Sequence, residues 1–196
     1  MSLVSNLFLL FVAASVLVYY IVPHKFQWLV LLCFSYIYYL AGGVRYVGFL
    51  LFSTLITWLI ALAVEKTEAK GSHKGARNLL VLGLLLNFGM LGVVKYTNFA
   101  IENLNALFHM NLRGMEILLP LGISFYTFQS SGYLLDVYWK RCEAEKNPVK
   151  YALFVSFFPQ ILQGPIGRYS RLAHQLYEPH KFEGKNITRG FERILW

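Results

Sequence analysis

Residues 119–175 constrain the fold most, because they combine a strongly apolar composition with residues that break helices or require hydrogen-bond partners. These residues fall in or beside long runs of Leu, Ile, Phe and Tyr: Pro120, Gly122, Gln129, Gly132, Asp136, Pro159, Gln160, Gln163, Gly164 and Pro165. In hydrocarbon an unpaired backbone or amide group costs several kcal/mol, so irregular backbone there must be buried in protein or line a wet cavity. The pattern predicts two broken helices, at about 117–138 and 150–167, that line a functional cavity.

Four further apolar runs indicate a membrane protein. They carry no charge and cover residues 2–22, 26–41, 46–64 and 79–94. Hydrophobic residues make up 57% of the 196 and charged residues only 14%, unlike a soluble domain. A spanning helix needs about 20 apolar residues, so the second and fourth runs require their flanks or a tilt. We predict a single all-α polytopic domain, with these four spans and broken or re-entrant segments around a central cavity.

The positive charges predict how the chain crosses the membrane. The net charge is +8, and basic residues concentrate in two loops: Lys66, Lys70, Lys74 and Arg77, and then Lys140, Arg141, Lys146 and Lys150. Cytoplasmic loops carry an excess of Lys and Arg, so we expect both loops in the cytoplasm and the N-terminus outside. Charge at the ends of spans also argues against a nucleic-acid partner. The expected location is the plasma membrane, with the lipid bilayer as a partner.

No motif of a known soluble active site is present. The sequence lacks C-x-x-C, H-E-x-x-H, a P-loop and a G-x-S-x-G elbow, so we expect no metal and no bound cofactor. None of the five histidines lies in a predicted span, where an ionisable residue would indicate function. His174 and then His109 are the strongest of them as catalytic candidates, although a solvated surface position explains both.

Four side chains of the broken segments are candidates for substrate binding. Gln129, Gln160 and Gln163 are neutral donors and acceptors at membrane depth, which suits either helix-to-helix bonding or a substrate channel. The guanidinium of Arg168 suits a carboxylate or phosphate, and equally the lipid headgroups. From these residues alone a transporter and a membrane enzyme are equally compatible.

Two other polar residues have structural interpretations. Asp136 lies near the predicted membrane face, and its spacing predicts an ion pair with Lys140 at i+4. Asn87 shares its apolar run with three glycines: Gly83, Gly89 and Gly92. Small residues let helices approach closely in lipid, so we expect close packing there with a hydrogen bond from Asn87 across the contact.

The residues of the broken segments resemble the membrane-bound O-acyltransferase family. The similarity is carried by LPLGISFYTFQ at 119–129, YLLDVY at 133–138 and FVSFFPQILQGPIGR at 154–168, preceded by Lys95-Tyr96 and Phe99. Within the family these motifs are most similar to the branch that O-acetylates alginate. Gln163 and His174 depart from the family pattern, and this leaves the acceptor open.

The resemblance implies a helical tunnel through the bilayer and the transfer of an acyl group, often acetyl. The donor would be acetyl-CoA or another acyl thioester. The acceptor would be an extracellular polysaccharide such as alginate, or an extracellular or periplasmic acyl-acceptor protein. The family's catalytic histidine lies in the second half of a longer chain, so we expect it beyond Trp196 and expect no catalytic residue here. Independently of the resemblance, Asn186 or Thr188 can cap a further helix that begins at 187–196.

We therefore expect the chain to be the N-terminal part of such an enzyme, and residues 1–196 alone to transfer no acyl group. The alternative is a transporter or a polysaccharide-export assembly subunit without chemistry. A buried histidine in a downstream span distinguishes the two, because only the enzyme requires a general base.

Overall fold

A computed structural model describes residues 6–108, 113–114, 120, 122–163 and 167–195. The helices are α1 Asn6–Ile21, α2 Gln27–Gly42, α3 Val44–Ala69, α4 His73–Phe108, α5 Ile123–Tyr138, α6 Pro148–Ser156, α7 Phe158–Gln163, α8 Tyr169–Tyr177 and α9 Gly184–Leu195, with a 3-10 turn at His24–Phe26. Since the described residues contain helices and no strands, the predicted all-α fold is confirmed for them.

Helices α3, α4 and α5 pack against one another and form the centre of the structure. Helices α2 and α6 pack against α3 and against each other, and α1 packs on α2. Large side chains fill the resulting core, among them the fully buried Tyr39, Tyr126, Tyr133, Tyr151 and Phe154. The core is therefore rich in aromatic rings that carry a hydroxyl, and these hydroxyls need partners inside the protein.

Two helices of the described residues, α3 and α4, are long and apolar enough to cross a membrane. Helix α4 has 36 residues and a length of about 54 Å, which exceeds the ~30 Å hydrocarbon core. The predicted fourth span, 79–94, is the middle of this one helix. Helices α1 and α2 have 16 residues each, or about 24 Å. The number of crossings stays a prediction.

A buried hydrogen-bond network joins α3 to α4. The Asn87 side-chain amide donates to Thr57 Oγ1 at 2.9 Å and to the Gly83 carbonyl at 3.0 Å, and Ser53 Oγ donates to Asn87 Oδ1 at 2.9 Å. The expected bond from Asn87 across the helix contact is present. At Gly83 an added Cβ would lie 2.8 Å from Leu134 Cδ1. The close packing that the sequence predicts is therefore present at Gly83 and absent at Gly89 and Gly92, where nothing lies within 4 Å of an added Cβ.

The ion pair predicted between Asp136 and Lys140 is wrong. Asp136 lies 3.5 Å from the Arg141 guanidinium, whereas Lys140 lies 3.3 Å from Glu68 at the end of α3. The reason is the backbone of Lys140, whose φ of 57° ends the helix, so that the i+4 geometry of a helix no longer applies there. The end of α3 and the loop after α5 therefore lie at the same end of the molecule.

Filling the space at Gly83 tests this packing. We expect Gly83→Leu to destabilise the protein by about 1–3 kcal/mol, because an enlarged side chain must displace Leu134 and Ile60. Gly89→Leu, on the same helix with nothing within 4 Å of its Cβ position, is the matched control. The measurement is the midpoint of thermal unfolding in detergent. Equal midpoints for the two variants would contradict the packing described here.

Candidate functional site

The helix that follows the α5–α6 loop is broken at Phe157. Helix α6 ends at Ser156 and α7 begins at Phe158, because Phe157 adopts a ψ of 103°, outside the helical range. The Phe158 amide instead donates to Ser35 Oγ of α2 at 3.2 Å, and Ser35 Oγ donates to the Leu31 carbonyl at 2.7 Å. A hydroxyl from a neighbouring helix thus satisfies a backbone donor that the break leaves open.

Gln129 of α5 bridges the two halves of the broken helix. Its side-chain amide donates to the Phe154 carbonyl of α6 at 3.0 Å and to Gln160 Oε1 of α7 at 3.3 Å. Gln129 is only 3% exposed. The last carbonyls of a helix have no partner within it, so Gln129 supplies the donor that the end of α6 lacks. The structure therefore brings together two of the predicted site residues, Gln129 and Gln160.

Two glycines let other segments approach α7 closely. Gly122, which precedes α5 with a φ of 72°, lies so near α7 that an added Cβ would overlap Ile161 Cγ2. An added Cβ at Gly167 would overlap the amide nitrogen of Gln160. At Gly122 the left-handed backbone and the close approach both require glycine. The sequence marks Gly122 as a helix breaker but does not reveal its contact with Ile161.

The other two predicted site residues lie elsewhere. The side chain of Gln163 is outside the part of the chain that the structure describes, as are residues 164–166. Arg168 is exposed at the N-terminal cap of α8, directly after Gly167. Within the described residues its guanidinium makes no ion pair. Substrate binding by these four side chains stays a prediction.

Glu145 organises the loop between α5 and α6. Its carboxylate accepts hydrogen bonds from the Tyr169 hydroxyl at 2.7 Å and from the Asn147 amide at 2.9 Å. Its backbone amide donates to the Tyr133 hydroxyl at 2.8 Å, and its carbonyl accepts from the Trp58 indole at 2.7 Å. Burial raises the pKa of Tyr169, so this hydroxyl stays protonated and donates. Glu145 thereby connects α3, α5 and α8.

The segment from Pro148 to Tyr169, called the hairpin below, contains α6 and α7 and returns to the end from which it starts. The chain enters α6 at Pro148 and reaches Tyr169 after α7. There Tyr169 bonds to Glu145, which lies three positions before Pro148 in the sequence. The Tyr177 hydroxyl also donates to the Lys150 carbonyl in the first turn of α6, at 2.7 Å. Both contacts hold α8 beside the start of α6, so the break at Phe157 lies within the hairpin.

A cleft of about 690 Å³ opens between residues 142–146 and the segment 169–179. Cys142 lies in its wall, but burial, together with the nearby Asp136 and Glu65 carboxylates, raises the pKa of this thiol to about 11. A thiol with that pKa stays protonated near neutral pH and is a poor nucleophile. The cleft therefore has room for a ligand but no activated thiol.

The described histidines lie on the surface. Three have polar partners: His73 with Glu68 at 2.9 Å, His174 with Glu178 at 2.7 Å, and His180 with the Tyr19 hydroxyl at 3.1 Å. His174 is at the rim of the cleft, and His109 lies outside the described residues. Among the described residues no three His, Cys, Asp or Glu side chains cluster as a metal site requires.

No protein-family model and no solved structure matches the chain, but curated relatives do. The chain is 35% identical over 178 residues to a probable alginate O-acetylase of Azotobacter vinelandii, covering 87% of this chain and 35% of that protein. It is 33% identical over 189 residues to a peptidoglycan O-acetyltransferase of Helicobacter pylori, covering 83% and 35%. A teichoic acid D-alanyltransferase of Lacticaseibacillus rhamnosus is 28% identical over 129 residues, covering 66% and 28%. The chain thus spans about a third of the length of the first two relatives.

Removing one hydroxyl tests the contact that closes the hairpin. We expect Tyr169→Phe to cost about 1.5–3 kcal/mol of stability, because its hydroxyl donates to a carboxylate. Tyr177→Phe loses a bond to a neutral carbonyl and serves as the matched control, with an expected cost of about 0.5–1.5 kcal/mol. Thermal unfolding in detergent gives both values. A larger loss at Tyr177 than at Tyr169 would be inconsistent with a central role for Glu145.

Proposed function

The region shared with these relatives makes the chain a member of the membrane-bound O-acyltransferase family, and we propose on that premise that it is part of an O-acetyltransferase acting on a cell-envelope polysaccharide. The relatives thus confirm the resemblance to this family. The observation that carries the proposal is the alignment over 87% of the chain with an O-acetylase. The relatives reported above are named as a probable O-acetylase, an O-acetyltransferase and a D-alanyltransferase, which favours chemistry over transport.

The proposed protein is multi-pass, with the N-terminus outside and the α6–α7 hairpin entering the membrane from the cytoplasmic side. Two contacts support this topology: Lys140 with Glu68 at 3.3 Å, and the Ala144 amide with Glu65 Oε1 at 2.9 Å. They join the C-terminal end of α3 to the loop after α5, and the basic residues concentrate around both, as the positive-inside rule requires for one cytoplasmic face. Helix α6 has nine residues, about 14 Å, and is too short to cross alone.

The four predicted site residues have different parts in this proposal. Both N–H groups of the buried Gln129 are directed to acceptors in the wall, so its part is to hold the broken helix in place. Gln160 belongs to the same wall, on α7, and a part for Gln163 in the wall rests on the sequence alone. Arg168 is exposed beside it, and its guanidinium suits the phosphate groups of a coenzyme A thioester or a related acyl donor. The acyl group would then lie along the hairpin.

Deleting the gene tests the reaction itself. We expect the envelope polysaccharide of the source cells to lose base-labile acetyl esters, and expression of the complete gene product that carries this chain to restore them. Acetate released by mild alkali from alginate-type polysaccharide and from peptidoglycan, measured separately, identifies the acceptor. Unchanged acetate in both fractions of the deletion strain would be evidence against an O-acetyltransferase.

Arg168→Ala tests the contact with the donor. In the complete gene product we expect the KM for the acyl donor to rise about tenfold or more with a smaller change in kcat, since a charged hydrogen bond to a phosphate is lost. Arg171→Ala, exposed on the same short helix, is the control for charge. If donor kinetics respond equally to both substitutions, or to neither, Arg168 serves only to anchor the protein at the membrane surface.

A further inference from the structure

An apolar groove lies along the seam between α3 and α4. Its volume is about 530 Å³, and it is lined by Arg45, Gly48, Phe49 and Phe52 of α3 and by Met90 of α4. The four α3 residues follow the i, i+3, i+4, i+7 spacing of one helix face. Gly48 has nothing within 4 Å of its Cβ position. The missing side chain of Gly48 thus leaves the hollow between the aromatic rings.

The groove is apolar along its whole floor. A separate hollow of only about 10 Å³ lies beside Phe52 and Met90, next to Ser53 and Asn87. Since Ser53 donates to Asn87, this pair does not require a hydrogen bond from a ligand. From Arg45 to Phe52 the groove follows about 10 Å of α3. An occupant of this part must itself be apolar and elongated.

Arg45 is the polar group at the mouth of the groove. It is exposed, and among the described residues it makes no hydrogen bond and no ion pair. A guanidinium binds phosphate and carboxylate oxygens in bidentate geometry, so its natural partner is an anion. The groove therefore combines an anion site at one end with an apolar channel extending from it.

We propose that this groove binds one anionic membrane phospholipid, with its phosphate on Arg45 and an acyl chain over Gly48. Docking of another helix fits less well, because close helix contact requires a second small residue four positions away, and the positions on either side are Val44 and Phe52. A docked helix would also cover Arg45, and the buried guanidinium would then require a carboxylate on that helix. An acyl chain fits a narrow apolar groove, and the phosphate supplies the anion. The proposal is independent of the enzymatic reaction.

Lipid retention by the purified complete gene product tests the proposal. The protein in mild detergent is titrated with phosphatidylglycerol or with phosphatidylcholine, and bound lipid is counted by native mass spectrometry. We expect Arg45→Gln to reduce the affinity for phosphatidylglycerol about fivefold and that for phosphatidylcholine less, because the choline cation offsets the charge of the phosphate that Arg45 binds. We expect Gly48→Leu, which fills the groove, to reduce the retention of both lipids.

Two variants serve as controls. Lys70→Gln removes an exposed charge at the other end of α3, and Gly89→Leu enlarges an exposed glycine of α4 outside the groove. Both should retain lipid as the unmodified protein does. Unchanged phosphatidylglycerol affinity in Arg45→Gln, or an equal loss of affinity in Lys70→Gln, would overturn the proposal. The test with Arg45→Gln does not depend on whether Gly48→Leu folds.

A photo-crosslinker identifies the occupant in the native membrane. A benzophenone-bearing phenylalanine in place of Phe52, which is 57% exposed in the groove, should form adducts with phospholipid. The same group in place of Leu59, exposed farther along α3, measures random contact with the bilayer. We expect phosphatidylglycerol to be enriched over phosphatidylcholine at position 52 relative to position 59. Adducts with polypeptide at position 52, from this protein or another, would show that a helix occupies the groove.

Discussion

The structure depends on how the backbone groups exposed by the break at Phe157 are satisfied. In a low-dielectric interior an open amide or carbonyl is costly, so a broken helix persists only where neighbouring side chains supply partners. Ser35 accepts from the amide of Phe158, and Gln129 donates to the carbonyl of Phe154. These two partners come from α2 and α5, so the break requires both helices to pack beside the hairpin. The arrangement of the core thus follows from the break.

The return of the hairpin follows from a second set of contacts. Gly122 leaves room for Ile161 of α7, and Glu145 accepts a hydrogen bond from the Tyr169 hydroxyl. The first contact depends on the absence of a side chain and the second on a charge. Because Glu145 also bonds to Trp58 and to Tyr133, its position is determined by α3 and α5 as well as by the hairpin. The two contacts of the hairpin are therefore positioned by the same central helices.

The all-α fold and two of the residues at the break were predictable from the sequence, whereas the partners of those residues were not. Gln129 and Gln160 stood out because amides are expensive at membrane depth, and the structure joins them. Ser35 and Glu145 gave no signal: a serine within an apolar run is ordinary, and an acid in a charged loop is normally solvated. The predicted ion pair between Asp136 and Lys140 was wrong because i+4 spacing presupposes a continuous helix, whereas the backbone at Lys140 is left-handed.

In the proposed reaction, the groups around the break at Phe157 suit positioning rather than proton transfer. The groups around the break are amides, a hydroxyl and carbonyls, none of which changes protonation near neutral pH. The ionisable candidates lie elsewhere: Cys142 is held neutral, and His174 is exposed and paired with Glu178. Acyl transfer to a hydroxyl requires a general base. In the proposed reaction this region therefore forms the wall and the anion site, and the proton is taken up by a group other than these.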